Sequence, residues 1–267
     1  MLVSDKADVR IERDGPLGIL QFSNEPANLM TFELLEAFGD AVSELAKSDA
    51  RALLIESPGP HFCGGVNVGI FRDLSRREAR SRFSRGLPLV IHGLENLPFP
   101  VVVAVQGLCS AAGLELALAA DIVFAGRSAR FSQVEARIGT STLLGGVQRL
   151  AERCGSVRAK EICFTSKHYD AETFERWNII NYVTEDDALK DEARAFAKDI
   201  ANGPTQAHFV TKRLVRAHLD AGIRTADELI LDIAPPLFDG HDMQHGVRTL
   251  QEFGARNVVE HTRFKGC

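Results

Sequence analysis

Gly107-Leu108-Cys109-Ser110-Ala111-Ala112-Gly113-Leu114-Glu115-Leu116-Ala117 follows the apolar run Val101-Val102-Val103-Ala104-Val105 with only Gln106 between them. The first run is β-branched and continuous, as a strand buried on both faces would be. Gly107 predicts a turn, and the apolar stretch after it predicts a helix. On that helix the neighbours of Glu115 one turn away are Ala111, Ala112, Leu118 and Ala119. None carries a positive charge, so no local ion pair accounts for the carboxylate. Two readings remain: a structural carboxylate that caps backbone N–H groups, or a group placed in a dry site for chemistry.

Upstream, Val9–Arg13 and Gly18–Phe22 flank Asp14-Gly15 and predict a hairpin. Thr31 predicts the cap of a helix whose stripe is Leu34, Leu35, Phe38, Val42 and Leu45. Arg51–Glu56 reads as a strand that Ser57-Pro58-Gly59-Pro60 stops, and Phe62–Asn67 as a Gly-containing loop. Residues 72–86 and 87–97 read as helices, ended by Pro98 and Pro100. Downstream, Asp121–Ala125 and Ala129–Phe131 predict strands. Helices follow at about 144–153, 156–164, 186–202, 204–221 and 223–233, interrupted by a strand at Ile179–Val183. Strands alternating with helices, then helices alone, predict an α/β core with a helical C-terminal part.

The chain has 267 residues, 45% of them hydrophobic, enough for one large core with a smaller appended unit. Its net charge of −5 speaks against nucleic-acid binding, which needs a basic excess. Met1–Asp8 has no apolar h-region, so no secretory signal is expected. No apolar stretch reaches the length of a membrane span. The five cysteines form no CxxC pair, and the eight histidines form no HExxH pattern. A disulfide framework, a metal site and an oxidising compartment are therefore not expected, and the default location is the cytoplasm.

Five motifs occur in order: Phe62-Cys63-Gly64-Gly65-Val66-Asn67, Pro100–Gly107, Gly107–Ala117, Ala129-Arg130-Phe131-Ser132-Gln133-Val134-Glu135, and Gly145-Gly146-Val147-Gln148-Arg149-Leu150. Together they resemble the enoyl-CoA hydratase/isomerase, or crotonase, superfamily, and the likeness runs from Gly18 to Gly266. The resemblance implies an α/β fold, a spiral of ββα turns over residues 1–200. Residues 201–267 would form a helical region that builds a homotrimer or a dimer of trimers. It also implies a substrate, an acyl-CoA thioester, with coenzyme A as part of that substrate and no separate cofactor.

The chemistry explains the residue types. A thioester that reacts through an enolate gathers negative charge on its oxygen, and two backbone N–H donors can hold it. By the resemblance these donors belong to Val66 and Ala112. Gly64, Gly65, Asn67, Ala111, Gly113 and Leu143 would form the substrate site around them. Glu115 and Glu135 match the hydratase pair, with Glu115 activating water and Glu135 delivering a proton to C2. Hydro-lyase activity on a 2-enoyl-CoA is the reading that uses both carboxylates. A double-bond isomerase, or an acyl-CoA-binding protein without turnover, are the alternatives.

Several residues depart from the usual pattern. Asn67 replaces an aspartate, Val66 an alanine, Ala111 and Ala112 two glycines, and Thr142-Leu143-Leu144 a Pro-Gly-Ala segment. Without the resemblance, Glu135 would read as a surface glutamate beside Arg137. The arginines at 72, 76, 77, 80, 82 and 85 face either phosphate groups or solvent. Cys63 and Cys109, with no histidine beside them, read as small buried fillers.

Overall fold

The structure, a computed structural model, describes residues 8–267; the reading of Met1–Ala7 lies outside the described residues. The hairpin forms as β1 (Asp8–Asp14) and β2 (Leu17–Ser23), paired antiparallel. Thr31 then caps α1 (Phe32–Leu45), its side chain accepting from the Leu34 N–H. β3 (Ala52–Glu56) follows, then a short 3₁₀ turn, Val68–Phe71, and α2 (Arg76–Gly86). The chain continues through a π-helical turn, Leu87–His92, into α3 (Gly93–Glu95).

β4 (Val101–Val105) leads through β5 (Leu108–Ser110) into α4 (Ala112–Leu118), which carries Glu115. β6 (Ile122–Gly126) and β7 (Arg130–Ser132) precede the 3₁₀ turn Glu135–Ile138. Then come α5 (Gly146–Thr165), β8 (Tyr169–Asp170), α6 (Ala171–Arg176) and β9 (Tyr182–Thr184). The remainder is helical: α7 (Leu189–Ala201), α8 (Thr205–Ala221), α9 (Ile223–Ile233) and α10 (His241–His261).

One sheet has the order β1-β2-β3-β4-β6-β9 and the other β5-β7-β8. From β2 to β9 the pairs in the large sheet are parallel. Its central strands, β3 and β4, are buried along their whole length, which is why they read as unbroken apolar runs. Their side chains alternate between two cores. Leu53, Ile55, Val101, Val103 and Val105 join the cluster that includes α1 and α4. Ala52, Leu54, Val102 and Ala104 face the other way, against Leu189, Ala193, Ala197 and Ala201 of α7. The alanines at four-residue spacing let α7 lie close on the sheet.

The small sheet sets the site. Cys63 bridges Cys109 in parallel register, so the loop Gly64–Val66 lies beside the turn that starts α4. β5 pairs with β7 and brings Ser110 opposite Ser132, two residues ahead of Val134. The segment after Gly107 is therefore a short strand before it is a helix. The period of its apolar residues does not distinguish the two. The helices predicted at 144–153 and 156–164 form one segment with a break at Gly155, whose φ is +78°. The predicted strand at Ile179–Val183 shifts to Tyr182–Thr184, because Asn181 side-chain Oδ1 accepts from the Val123 N–H ahead of it.

Candidate active site

Two loops and two short turns converge on one cavity of about 150 Å³. Gly64, Val66, Ala111, Ala112, Glu115, Glu135 and Leu143 are all in its wall. Gly65, Asn67 and Gly113 are not. They act on the backbone that carries the wall. Asn67 Oδ1 accepts from the Gly69 N–H at 3.1 Å and so caps the 3₁₀ turn that leaves the loop. A Cβ on Gly113 would stand 2.6 Å from both the Cβ and the carbonyl oxygen of Cys63, so only glycine lets α4 pack on that loop. Gly65 has φ +113°, and a Cβ there would reach 3.1 Å from the Ala111 Cβ. The two loops thus touch through a glycine and a methyl group.

Ala111 itself adopts φ 48°, ψ −120°, a conformation that L residues avoid. Its N–H is held by the Ser132 carbonyl at 2.9 Å, and its own carbonyl accepts from the Glu115 N–H at 2.9 Å. Both ends being tied, the backbone is forced through the strained turn. The next N–H, that of Ala112, opens the first turn of α4. On the other loop, Met30 N–H donates to Gly65 O at 2.8 Å and Asn67 N–H donates to Met30 O at 2.9 Å. Val66 sits between these bonds, so its own N–H turns away from Met30. Among the described residues, the N–H groups of Val66 and Ala112 have no protein acceptor.

Glu115 is 2% exposed. Its Oε1 accepts from the Leu144 and Gly146 N–H groups, each at 2.8 Å. Burial pushes its pKa up to about 7, the charge of Glu135 adds to this, and the N–H groups of residues 143, 144 and 146 oppose it. Glu135 is half-buried, and burial also raises its pKa. Gln133, fully buried, sets one end of its amide 2.9 and 3.0 Å from the two Glu135 carboxylate oxygens; the amide is assigned with its nitrogen on that side, because only then does it donate to both. Arg137 gives Glu135 no partner; its guanidinium is spent on the Ser166 carbonyl. Gly146 lies between the two glutamate systems. A Cβ there would come within 2.4 Å of the Gln133 amide and 2.8 Å of Glu115 Cγ.

The chain matches the enoyl-CoA hydratase/isomerase family over residues 13–255. It belongs to that family. A short-chain-enoyl-CoA hydratase of Clostridium acetobutylicum is 27% identical over 222 residues, covering 82% of this chain and 85% of that one. A mevalonyl-coenzyme A hydratase, SIDH, of Beauveria bassiana is 28% identical over 217 residues and 78% of each chain. The crystal structure of an enoyl-CoA hydratase from Mycobacterium smegmatis superposes with a TM-score of 0.86 at 25% identity, covering 91% of this chain and 96% of that one. The fold is of the crotonase type.

Within this enoyl-CoA hydratase/isomerase family member, three contributors escaped the reading of the sequence. Gln133 lay inside a quoted motif without a role. The N–H groups of Leu144 and Gly146 carry no side-chain signature. The aromatic wall of the cavity, Phe32, Phe71 and Phe83, comes from separate elements. Cys63, its pKa pushed up to about 12 by burial, remains a thiol and fills space. Among the described residues, no group of three or more His, Cys, Asp or Glu side chains is placed to hold a metal ion. Among them, too, no helix is long and apolar enough to cross a membrane.

Proposed function

We propose that this protein adds water across the 2,3 double bond of an enoyl-CoA thioester, or removes it in reverse. The observation that carries the reading is the pair Glu115 and Glu135 on one cavity wall, the pKa of each raised by burial from its ordinary value. Two carboxyls in one dry site do not both ionise readily, so near neutrality they share a proton; the form of the pair that carries it on Glu135 has there a proton to give and, on Glu115, a carboxylate to accept one. Water addition needs both roles at once; a double-bond shift needs one shuttling base. The names of the relatives support the same choice.

In the proposed reaction the thioester oxygen accepts from the Val66 and Ala112 N–H groups. Water attacks C3 while Glu115 takes its proton. The π electrons move toward the thioester, whose oxygen gains charge and is held by the two N–H groups. Glu135 then gives its proton to C2, and the enolate collapses to the 3-hydroxyacyl thioester. Gln133 keeps both Glu135 oxygens oriented, and Asn67 keeps the loop of Val66 in shape. Coenzyme A enters and leaves as part of the substrate.

Two features support the wider setting. All five cysteines are free, which suits a reducing cytoplasm. Residues 201–267 are proposed as the assembly region of a homotrimer or a dimer of trimers. Its helices leave Val215, Leu219, Ile223 and Leu231 exposed, the last at 74%. Phe209, Leu214, Leu229 and Ile233 are half-buried already.

The decisive experiment is a hydration assay with Glu135→Gln. Turnover should fall by about 10²–10⁴ with the fold retained. An unchanged rate removes the mechanism. Conversion of 3-enoyl to 2-enoyl thioesters without water addition replaces it with an isomerase, and thioester binding without any turnover replaces it with a binding protein.

A further inference from the structure

The cavity that holds the two carboxylates has a polar end and an apolar end. Val68, Ile70, Phe71, Phe83, Val134 and Ile138 contribute only hydrocarbon to it. Phe83 is the centre of an aromatic cluster, its ring 6.4 Å from Phe32 and 6.2 Å from Phe71. The Arg82 guanidinium lies over the Phe32 ring at 4.9 Å and closes the cluster from outside. Beyond it is a second, much smaller void of about 20 Å³. Phe32, Leu35, Phe83 and Leu144 line both spaces, so these four side chains are the partition between them. On its far side the void meets Glu36, Arg82 and Arg85.

We infer that this partition sets the acyl chain, and that Phe83 is the residue that limits its length. The inference rests on the hydratase reading above and names its substrate class: an unsubstituted, short aliphatic enoyl group. An apolar cavity of this size takes a hydrocarbon load of roughly six carbons, as an engineered cavity of about 150 Å³ does when it binds benzene. A longer chain meets the phenyl rings, then charged side chains that would lose water to receive it. The side chains of Phe32, Phe71 and Phe83 offer no hydrogen-bond partner to a terminal hydroxyl or carboxylate, which would be excluded there for the same reason; the one hydroxyl side chain in the cavity wall is that of Thr140. Phe83 and Phe32 are the half-buried members of the partition, and Phe83 is the one at the centre of the aromatic cluster. Leu144 supplies a backbone N–H to Glu115, and Leu35 is buried in the core. Phe83 is half-buried on α2, a helix with no buried residue. Shortening it joins the two spaces without emptying the core.

The test is kcat/KM for straight 2-enoyl-CoAs of four, six, eight, ten and twelve carbons. Wild type should peak near six and fall by about tenfold or more at the long end, the scale of misfit in an apolar pocket. Phe83→Ala and Phe83→Leu should move the optimum to longer chains, the alanine variant further. A terminal hydroxyl on the six-carbon chain should lower kcat/KM by about tenfold or more. A wild-type optimum at ten carbons or beyond, equal rates for the hydroxylated chain, or an unchanged length profile in both variants overturns the inference. Calorimetric binding of the matching saturated acyl-CoAs reads the cavity without turnover. If no enoyl-CoA is hydrated, the hydratase reading fails by itself. A binding optimum near six carbons then still supports the partition, and tightest binding at ten or twelve overturns it.

Discussion

The two glutamates occupy regions built on different principles. Glu115 stands in the first turn of a buried helix and is gripped by main-chain N–H groups of the segment that opens α5. Glu135 opens a half-exposed 3₁₀ turn and is gripped by one side chain, that of Gln133. Main-chain donors stay where the fold puts them whatever side chain they carry. A side-chain donor is one substitution away from loss. Identical carboxyls thus acquire different stiffness and solvation from their surroundings.

The largest test of the contrast is Glu115→Gln. The amide oxygen can still accept from Leu144 and Gly146, so the protein should fold. Hydration should fall by about 10²–10⁴, because the acceptor for the water proton is gone. Activity near wild type would leave Glu115 a purely structural group.

Proton affinity supplies the next test. Glu115 holds its proton more tightly in the fold, with a pKa near 7 against the ordinary 4.5. The stability this contributes is complete below about pH 4.5 and is lost as pH rises through about 7. At about 1.4 kcal/mol per pKa unit, the loss is on the order of 3 kcal/mol. The Tm of wild type should therefore drop more between pH 5 and pH 8 than that of Glu115→Gln. Parallel profiles for the two proteins would place the raised pKa elsewhere.

Gly146→Ala strikes both regions at once, since its methyl group meets the Gln133 amide and Glu115 together. We expect a stability loss of about 1–3 kcal/mol, the range for overpacking. A fall in kcat on the order of 10² should accompany it, as displaced catalytic groups cause. Chemical denaturation and steady-state kinetics on one preparation measure both. A loss of stability with kcat intact would show that Gly146 serves packing alone.

The smallest effect is expected at Ala111→Gly. The strained φ of 48° costs about 1–3 kcal/mol for a residue with a Cβ, and glycine removes that cost. Glycine gives back part of it through unfolded-chain entropy, about 0.4–1 kcal/mol. A net gain of about 1 kcal/mol should appear in the denaturation midpoint. Destabilisation would mean that the methyl contact with Gly65 matters more than the strain.

Much of the architecture was legible in the chain. The hairpin, the Thr31 cap and the strands at β3 and β4 follow from turn residues, a hydroxyl and continuous apolar runs, all local signals. The reading weakened where a few residues pair over long distances. β5 and β8 have three and two residues and exist because β7 lies between them. At the site, Glu115 stood out because an uncompensated charge in an apolar run is a local anomaly. Glu135, next to an arginine, had no such anomaly, and its bond to Gln133 depends on an amide two residues away turning inward. Asn67 and Gly113 sit next to cavity-lining positions in sequence, yet neither lines the cavity.

The order of apolar, glycine and acidic residues was enough to predict an α/β chain and to single out Glu115, because periodicity, turns and charge in a dry stretch are properties of neighbours along the chain; the family's fold and Glu135 came from the resemblance of five ordered motifs. The placement of Leu144 and Gly146 over Glu115, the tie of Ala111 to Ser132 and the aromatic partition at Phe83 arise from segments about 20 to 110 residues apart. Only the folded chain sets such distances, because main-chain donors and cavity volume leave no mark on side-chain identity.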